Sequence, residues 1–126
     1  MPTINFHSQS GVEVMPGNHH IRIEAVDRPG PGGAYHHYQV SIGAGETPIE
    51  YHLHFQKGGL QEAGPNGLTN EVLLAVVLHR LACFQTGQFR SNWNQIAMDA
   101  VENALKMLHQ RTRDRVNRGV EGKQEP

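Results

Sequence analysis

The sequence has one cysteine and no long hydrophobic run, and each shortage argues against a class of protein. Cys83 has no partner for an internal disulfide, which is typical of a protein in a reducing cytosol. The longest apolar run, Val72 to Leu78, is too short to cross a bilayer, and the first fifteen residues lack a basic and apolar signal pattern. We therefore expect a soluble, cytoplasmic protein without a membrane partner.

Positive charge is scarce overall and concentrated in one stretch. The net charge of −1 argues against a duplex nucleic-acid partner, because such proteins need a basic surface to displace counterions. Residues 1–68 carry three Lys or Arg against six Asp or Glu, whereas residues 106–118 carry five basic side chains and Asp114 alone. This basic segment leaves open a small anionic ligand or an acidic partner.

Motifs for phosphate loops and covalent catalysis are also missing. Neither G-x-x-x-x-G-K nor a strand followed by G-x-G-x-x-G occurs, so the glycine-rich stretches are interpreted as turns. His52 and His54 lack the Ser or Thr two positions later that the two-histidine phosphoesterases require, and no serine or cysteine stands in a nucleophile motif. We therefore predict no catalytic residues, no cofactor and no enzyme activity.

The N-terminal half alternates apolar and polar residues, which is the pattern of half-buried antiparallel strands. Three segments show it clearly: Ile21 to Ala25, Tyr38 to Ile42 and Ile49 to Phe55. Shorter candidates for edge strands are Ile4 to Phe6 and Val12 to Met15. Because no helix-length segment separates these strands, an antiparallel sheet is favoured over parallel βαβ units.

The C-terminal half predicts two helices packed as an antiparallel hairpin. The first runs from Glu71 to Gln85 after a cap at Thr69 or Asn70, and the second from a cap at Ser91 to Gly119. The predicted class is α+β, with a small N-terminal antiparallel sheet followed by the hairpin in a single domain. The predicted parts of residues 1–126 are the sheet (1–57), a connecting loop (58–69), the hairpin (70–119) and a tail (120–126).

Arginines continue the apolar stripe of the second helix. At 100° per residue, Arg111 lies at the angle of Trp93, and Arg115 follows one turn later. A half-buried guanidinium needs an anion, and its fork of donors suits carboxylate or phosphate. The alternative left open is a solvated basic helix end that complements the helix dipole.

Residues at both ends of the hairpin suit a nucleotide. Phe84 could stack on a base, Asn94 could bond to its edge, and Arg111 with Arg115 could clamp phosphates. Asn94 and Arg111 lie about 25 Å apart on one helix, so one small ligand cannot touch both from a single chain. Two antiparallel hairpins would instead build the site at a subunit interface. The alternative is that Phe84 and Trp93 are core residues.

Nine histidines raise the possibility of a metal site. Glu50, His52 and His54 share the polar face of one strand, and that spacing can hold zinc. The adjacent pairs His19–His20 and His36–His37, however, have members that point to opposite faces of a sheet. Ordinary surface histidines are the favoured interpretation, and we predict no metal site.

Three stretches carry a family resemblance. They are FQKGGLQEAGPNGLTNEVLL from Phe55 to Leu74, LACFQ from Leu81 to Gln85, and QRTRDRVNRGVEG from Gln110 to Gly122. The last contains the specific pattern R-T-x-D-R-x-x-x-G-[VI]-E-G. On these residues the chain resembles the first described family of Thoeris anti-defence proteins of bacteriophages, and its hairpin is similar to that of phage anti-CBASS sponges for cyclic dinucleotides.

The resemblance implies binding without turnover, in the cytoplasm of the infected host. Glycocyclic ADP-ribose would be held at the subunit interfaces of a homodimer or hexamer and kept from the Thoeris effector. Some family members also hold the cyclic di- or trinucleotides of CBASS. By matching position, the implied ligand contacts are Phe84 and Asn94 to adenine and Arg111 and Arg115 to the pyrophosphate, with Thr112 nearby.

Two other functions stay open from the residues alone. An enzyme that cleaves the signal, using His52 and His54, would release new products. A protein-binding module, docking an acidic partner on its basic helix end, would bind no nucleotide.

Overall fold

The computed structural model describes residues 2–5, 13–15, 20–123 and 125–126. The chain divides into two compact units, Met1–Gly58 and Gly59–Pro126. The first unit holds three strands and the second holds the long helices, which pack against each other. This order confirms the predicted α+β class.

The sheet is an antiparallel meander in the order β1-β2-β3. Its strands are β1 (Ile21–Ala25), β2 (His37–Ile42) and β3 (Ile49–His54). Val40 pairs with Ile23 on one side and with Tyr51 on the other, so the alternating apolar residues of all three strands share one face. The predicted strands are confirmed to within one residue at each end.

The apolar face of the sheet has little cover. Ala25, at 0% exposure, is the one fully buried apolar residue among those the structure describes. Ile42, Ile49 and Tyr51 are exposed on the same face. The sheet unit therefore presents apolar surface that its own described residues do not bury.

A short N-terminal segment lies alongside β1. The side chain of Asn5 donates to the carbonyl of Ile21 at 2.7 Å and accepts from the N–H of Ile23 at 3.0 Å. The predicted edge strands Ile4 to Phe6 and Val12 to Met15 fall partly outside the described residues. In the described part of the first, the N–H of Ile4 donates to the carbonyl of Ile23 at 2.8 Å, next to an isolated bridge between Thr3 and Glu24.

The helical unit contains a short helix and a two-helix hairpin. The helices are α1 (Leu60–Ala63), α2 (Asn70–Gln85) and α3 (Asn92–Asn117). Thr69 Oγ1 caps α2 by accepting from the N–H of Val72 at 3.3 Å, and Ser91 Oγ caps α3 by accepting from that of Asn94 at 3.1 Å. Gly119, at φ 72°, takes the left-handed conformation just beyond α3.

The single turn α1 lies within a stretch that the sequence predicted to be loop. Four residues are too few to show a helical period, and the flanking Gly59 and Gly64 read as turn residues. In the part of the chain that the structure describes, no helix combines the length and apolarity needed to cross a membrane.

Candidate functional site

The hairpin leaves much of its own apolar surface uncovered. Within α2, which the structure describes throughout, no residue is fully buried, and Val72, Val76 and Val77 are exposed. The apolar residues of α2 surround the helix, whereas α3 covers one side of it. A second apolar surface is needed to cover the other side.

A side-chain clamp closes the tip of the hairpin. The amide of Gln85 donates to the carbonyl of Ser91 at 3.0 Å and accepts from its N–H at 2.9 Å. Asn94, the predicted base-binding residue, donates from Nδ2 to the carbonyl of Phe89 at 3.2 Å. The start of α3 is therefore fixed in place before any ligand binds.

Aromatic side chains at the tip face solvent. Trp93 is 80% exposed, Phe89 is 69% exposed, and Phe84 is exposed beside the guanidinium of Arg80, 6.0 Å from its ring centroid. The alternative that Phe84 and Trp93 are core residues of the hairpin is wrong, because both side chains are exposed. The tip offers aromatic surface for a base or for a partner subunit.

At the other end of α3, Arg115 is 7% exposed and is bonded to the C-terminal tail. Its Nη1 donates to the main-chain oxygens of Glu125 and Pro126 at 2.7 and 3.2 Å. Its Nη2 donates to those of Val120 and Lys123, each at 2.9 Å. The guanidinium thus has main-chain oxygens in the place of an external anion.

The carboxylate of Glu121 completes the environment of Arg115. Its Oε2 lies 3.4 Å from Nε of Arg115, so the two groups form an ion pair. Their distance and alignment do not make a hydrogen bond. This carboxylate oxygen is buried without a hydrogen-bond donor among the described residues. The basic end of α3 is therefore partly neutralised by its own tail.

Two glycines, Gly59 and Gly122, allow the C-terminal tail to dock against α1. The N–H and side-chain amide of Gln61 donate to the carbonyls of Gly122 and Glu121, each at 2.9 Å. A Cβ on Gly59 would lie 2.2 Å from the carbonyl oxygen of Gly122, so this approach requires glycine. The sequence predicted residues 120–126 only as a tail, without this contact, although both GG and GVEG lie in the family-like stretches.

Arg111 has the opposite environment to Arg115. It is exposed and makes no hydrogen bond or ion pair with any residue that the structure describes. The neighbouring Arg113 and Arg118 are bonded to Gln110 and Asp114, each at 3.1 Å. Of the two interpretations that the sequence left open, burial applies to Arg115, and a solvated side chain applies to Arg111.

Thr112 and the tip residues complete the predicted set. The hydroxyl of Thr112 donates to the carbonyl of Leu108 at 3.2 Å, so it lies against its own helix. Arg111, Thr112 and Arg115 share one end of α3, whereas Phe84 and Asn94 lie at the other. One chain does not bring the two groups together.

Three histidines cluster on the polar face of the sheet. His37 Nε2 lies 2.8 Å from His52 Nδ1, and the rings of His37 and His54 stack with centroids 4.2 Å apart. Partial burial lowers the pKa of His37, and the neighbouring His54 and His52 lower it further. The alternation of β3 predicted that His52 and His54 share one face, but only the register of β2 with β3 adds His37 to them.

Together, these features define a small α+β protein whose helical hairpin displays aromatic side chains at one end and a free arginine at the other. No family model matches the chain. It is 34% identical to Thoeris anti-defense 1 of Bacillus phage SBSphiJ7 over 128 aligned positions, which cover 95% of this chain and 88% of that protein. The chain therefore belongs to the Thoeris anti-defence 1 family, as its sequence motifs predicted.

Proposed function

We propose that this protein is a phage anti-defence protein that binds a cyclic ADP-ribose-type signal, glycocyclic ADP-ribose, and holds it without cleavage. The observation that carries the proposal is the free guanidinium of Arg111 within the R-T-x-D-R pattern. Membership of the Thoeris anti-defence 1 family supports the anti-defence role. Sequestration would keep the signal from the host's Thoeris effector.

The site lies between two subunits in this proposal. The exposed valines of α2 and the exposed aromatic tip leave surface for a second copy to cover. Antiparallel hairpins bring the tip of one chain to the basic end of the other, which removes the separation of about 25 Å within one chain. Two-fold symmetry then gives two equivalent sites per homodimer, and dimers can assemble further into a hexamer.

At the basic end, Arg111 supplies the direct bond to the pyrophosphate. Charge-assisted hydrogen bonds of this kind contribute about 1.5 to 3 kcal/mol each. Arg115 reaches the same group when a phosphate oxygen replaces one of its tail oxygens, so the guanidinium is never left without an acceptor. Thr112 lies beside them and offers its oxygen as an acceptor.

At the tip, Phe84 stacks on the adenine and Asn94 bonds to its edge. Asn94 already donates to Phe89, so an adenine nitrogen must take the place of that carbonyl or use the remaining amide hydrogen. Both residues sit on helices that are fixed by the Gln85 clamp. The base is therefore received by a preformed surface.

A capture-and-release assay tests this function. Purified protein is mixed with cyclic ADP-ribose isomers and with cyclic di- and trinucleotides, filtered and heat-denatured, and the released compounds are identified by mass. We expect intact glycocyclic ADP-ribose to be depleted before heating and recovered afterwards. Altered masses would contradict the proposal in favour of an enzyme, and no depletion would contradict it in favour of a protein-binding module.

A further inference from the structure

The strand register gathers three imidazoles on one face of the sheet. His37 of β2 is directly opposite His54 of β3, and His52 lies two residues before His54 on the same strand. Cross-strand partners and alternate residues of a strand point to the same side. The backbone itself therefore holds His37, His52 and His54 together on the polar face.

The distances between their nitrogens suit a shared ion. One ring nitrogen from each histidine lies within 4.8 Å of those of the other two. Tetrahedral zinc, with Zn–N bonds of about 2.0 to 2.1 Å, requires its nitrogen ligands to be about 3.3 Å apart. His37 Nε2 and His52 Nδ1 are 2.8 Å apart, and all three ligand nitrogens lie within 4.8 Å of one another, so the separations need to change by about 1.5 Å or less.

The rings are free to make these shifts. His52 and His54 are exposed and His37 is half-buried, so side-chain rotation can bring the lone pairs to one point without moving the strands. Imidazole is a preferred ligand of zinc, and sets of three histidines leave a fourth position open. Glu50, two residues before His52 on the same polar face, is placed to orient a ligand ring or the water at that position.

We propose that His37, His52 and His54 form a Zn²⁺ site on the polar face of the sheet, with its fourth position open to water or a carboxylate. This reverses the expectation of ordinary surface histidines, because that expectation did not place His37 beside His52 and His54. The pair of His79 and Cys83 is a weaker candidate, since it brings together two ligands, 3.9 Å apart. The zinc site lies in the sheet unit and does not rest on the nucleotide proposal.

Calorimetry with ZnCl₂ tests the site. The full chain without an affinity tag is stripped with EDTA and titrated, alongside His52→Gln and the matched control His109→Gln, which removes an exposed histidine of α3. We expect one zinc ion per chain, an affinity lowered by more than about tenfold in His52→Gln and unchanged affinity in His109→Gln. Equal affinity of wild type and His52→Gln, or no zinc binding by the wild type, would overturn the proposal.

A second readout uses the unaltered protein and so does not depend on the fold of a variant. Zinc is added to the stripped wild type while the histidine ring signals are followed by NMR. We expect the signals of His37, His52 and His54 to move together and saturate at one equivalent, with those of His79 and His109 unchanged. Movement of His79 in their place would contradict the site.

Discussion

The two ends of the hairpin differ in the exposure and bonding of their side chains. At the tip, Trp93 and Phe84 face solvent, and the backbone beneath them is closed by Gln85. At the basic end, Arg115 is buried and bonded, while Arg111, one turn earlier on α3, is free. Of two arginines in the same motif, one is thus held by the C-terminal tail, whereas the other makes no bond to any residue that the structure describes.

The largest expected effect on stability comes from replacing the buried Arg115. Arg115→Ala leaves several tail carbonyls without donors and should lower the free energy of unfolding by about 3 kcal/mol, measured by urea denaturation. The control Arg111→Ala should change it by less than about 0.5 kcal/mol, because that side chain is exposed. Equal stability of the two variants would remove the distinction between them.

The docking of the tail can also be disrupted at Gly59, which lies against Gly122. Gly59→Ala places a Cβ 2.2 Å from the carbonyl oxygen of Gly122 and should cost about 1 to 3 kcal/mol of stability. Gly87→Ala is the matched control, since its Cβ would meet its nearest neighbour, the carbonyl oxygen of Phe84, at 3.9 Å. We expect the control to be neutral or slightly stabilising. If thermal unfolding shows the same loss in both, the docked tail does not stabilise the unit.

The free arginine should matter for the ligand instead. Arg111→Ala removes a charge-assisted bond and should weaken binding of glycocyclic ADP-ribose by about 10- to 150-fold, corresponding to about 1.5 to 3 kcal/mol. Arg113→Ala, which removes an arginine bonded to Gln110, is the control and should bind normally. Unchanged affinity of Arg111→Ala in calorimetry would refute the assignment of Arg111.

The smallest effect on stability is expected at the tip. Trp93→Ser should change the free energy of unfolding by less than about 0.5 kcal/mol, because the ring is exposed in the single chain. The same change should weaken self-association, measured by sedimentation velocity, if a second copy covers the tip. Val14→Ser, at an exposed apolar residue of the sheet unit, should leave association unchanged. Wild-type association of Trp93→Ser would place the interface elsewhere.

Local signals explain what the sequence could predict. Alternation with a period of two placed β1, β2 and β3 to within one residue. Capping side chains predicted the helix starts at Ser91 and at Thr69 or Asn70, of which Thr69 is the cap. These features depend on neighbours in the chain. The turn α1 is equally local but too short for a period to show.

Contacts between distant residues explain what the sequence could not predict. The burial of Arg115 follows from its angle on α3, but its partners depend on how residues 120–126 fold back, and Gly59 takes part from 63 positions before Gly122. The difference in burial between Arg111 and Arg115 follows from the same docking of the tail. The histidine cluster depends on the register of β2 and β3, which pairs His37 with His54.

The most direct test of the interface site is complementation between two weakened variants. Arg111→Ala weakens the basic end of each site, and the double variant Phe84→Ala, Asn94→Ala weakens the tip. When equal amounts are refolded together, half of the dimers are mixed, and each mixed dimer has one intact site and one doubly defective site. At a ligand concentration too low to fill the weakened sites, two-fold symmetry predicts that the mixture captures about one quarter as much glycocyclic ADP-ribose as the wild type, whereas each variant alone captures almost none. A mixture as inactive as its components would contradict a site shared between subunits.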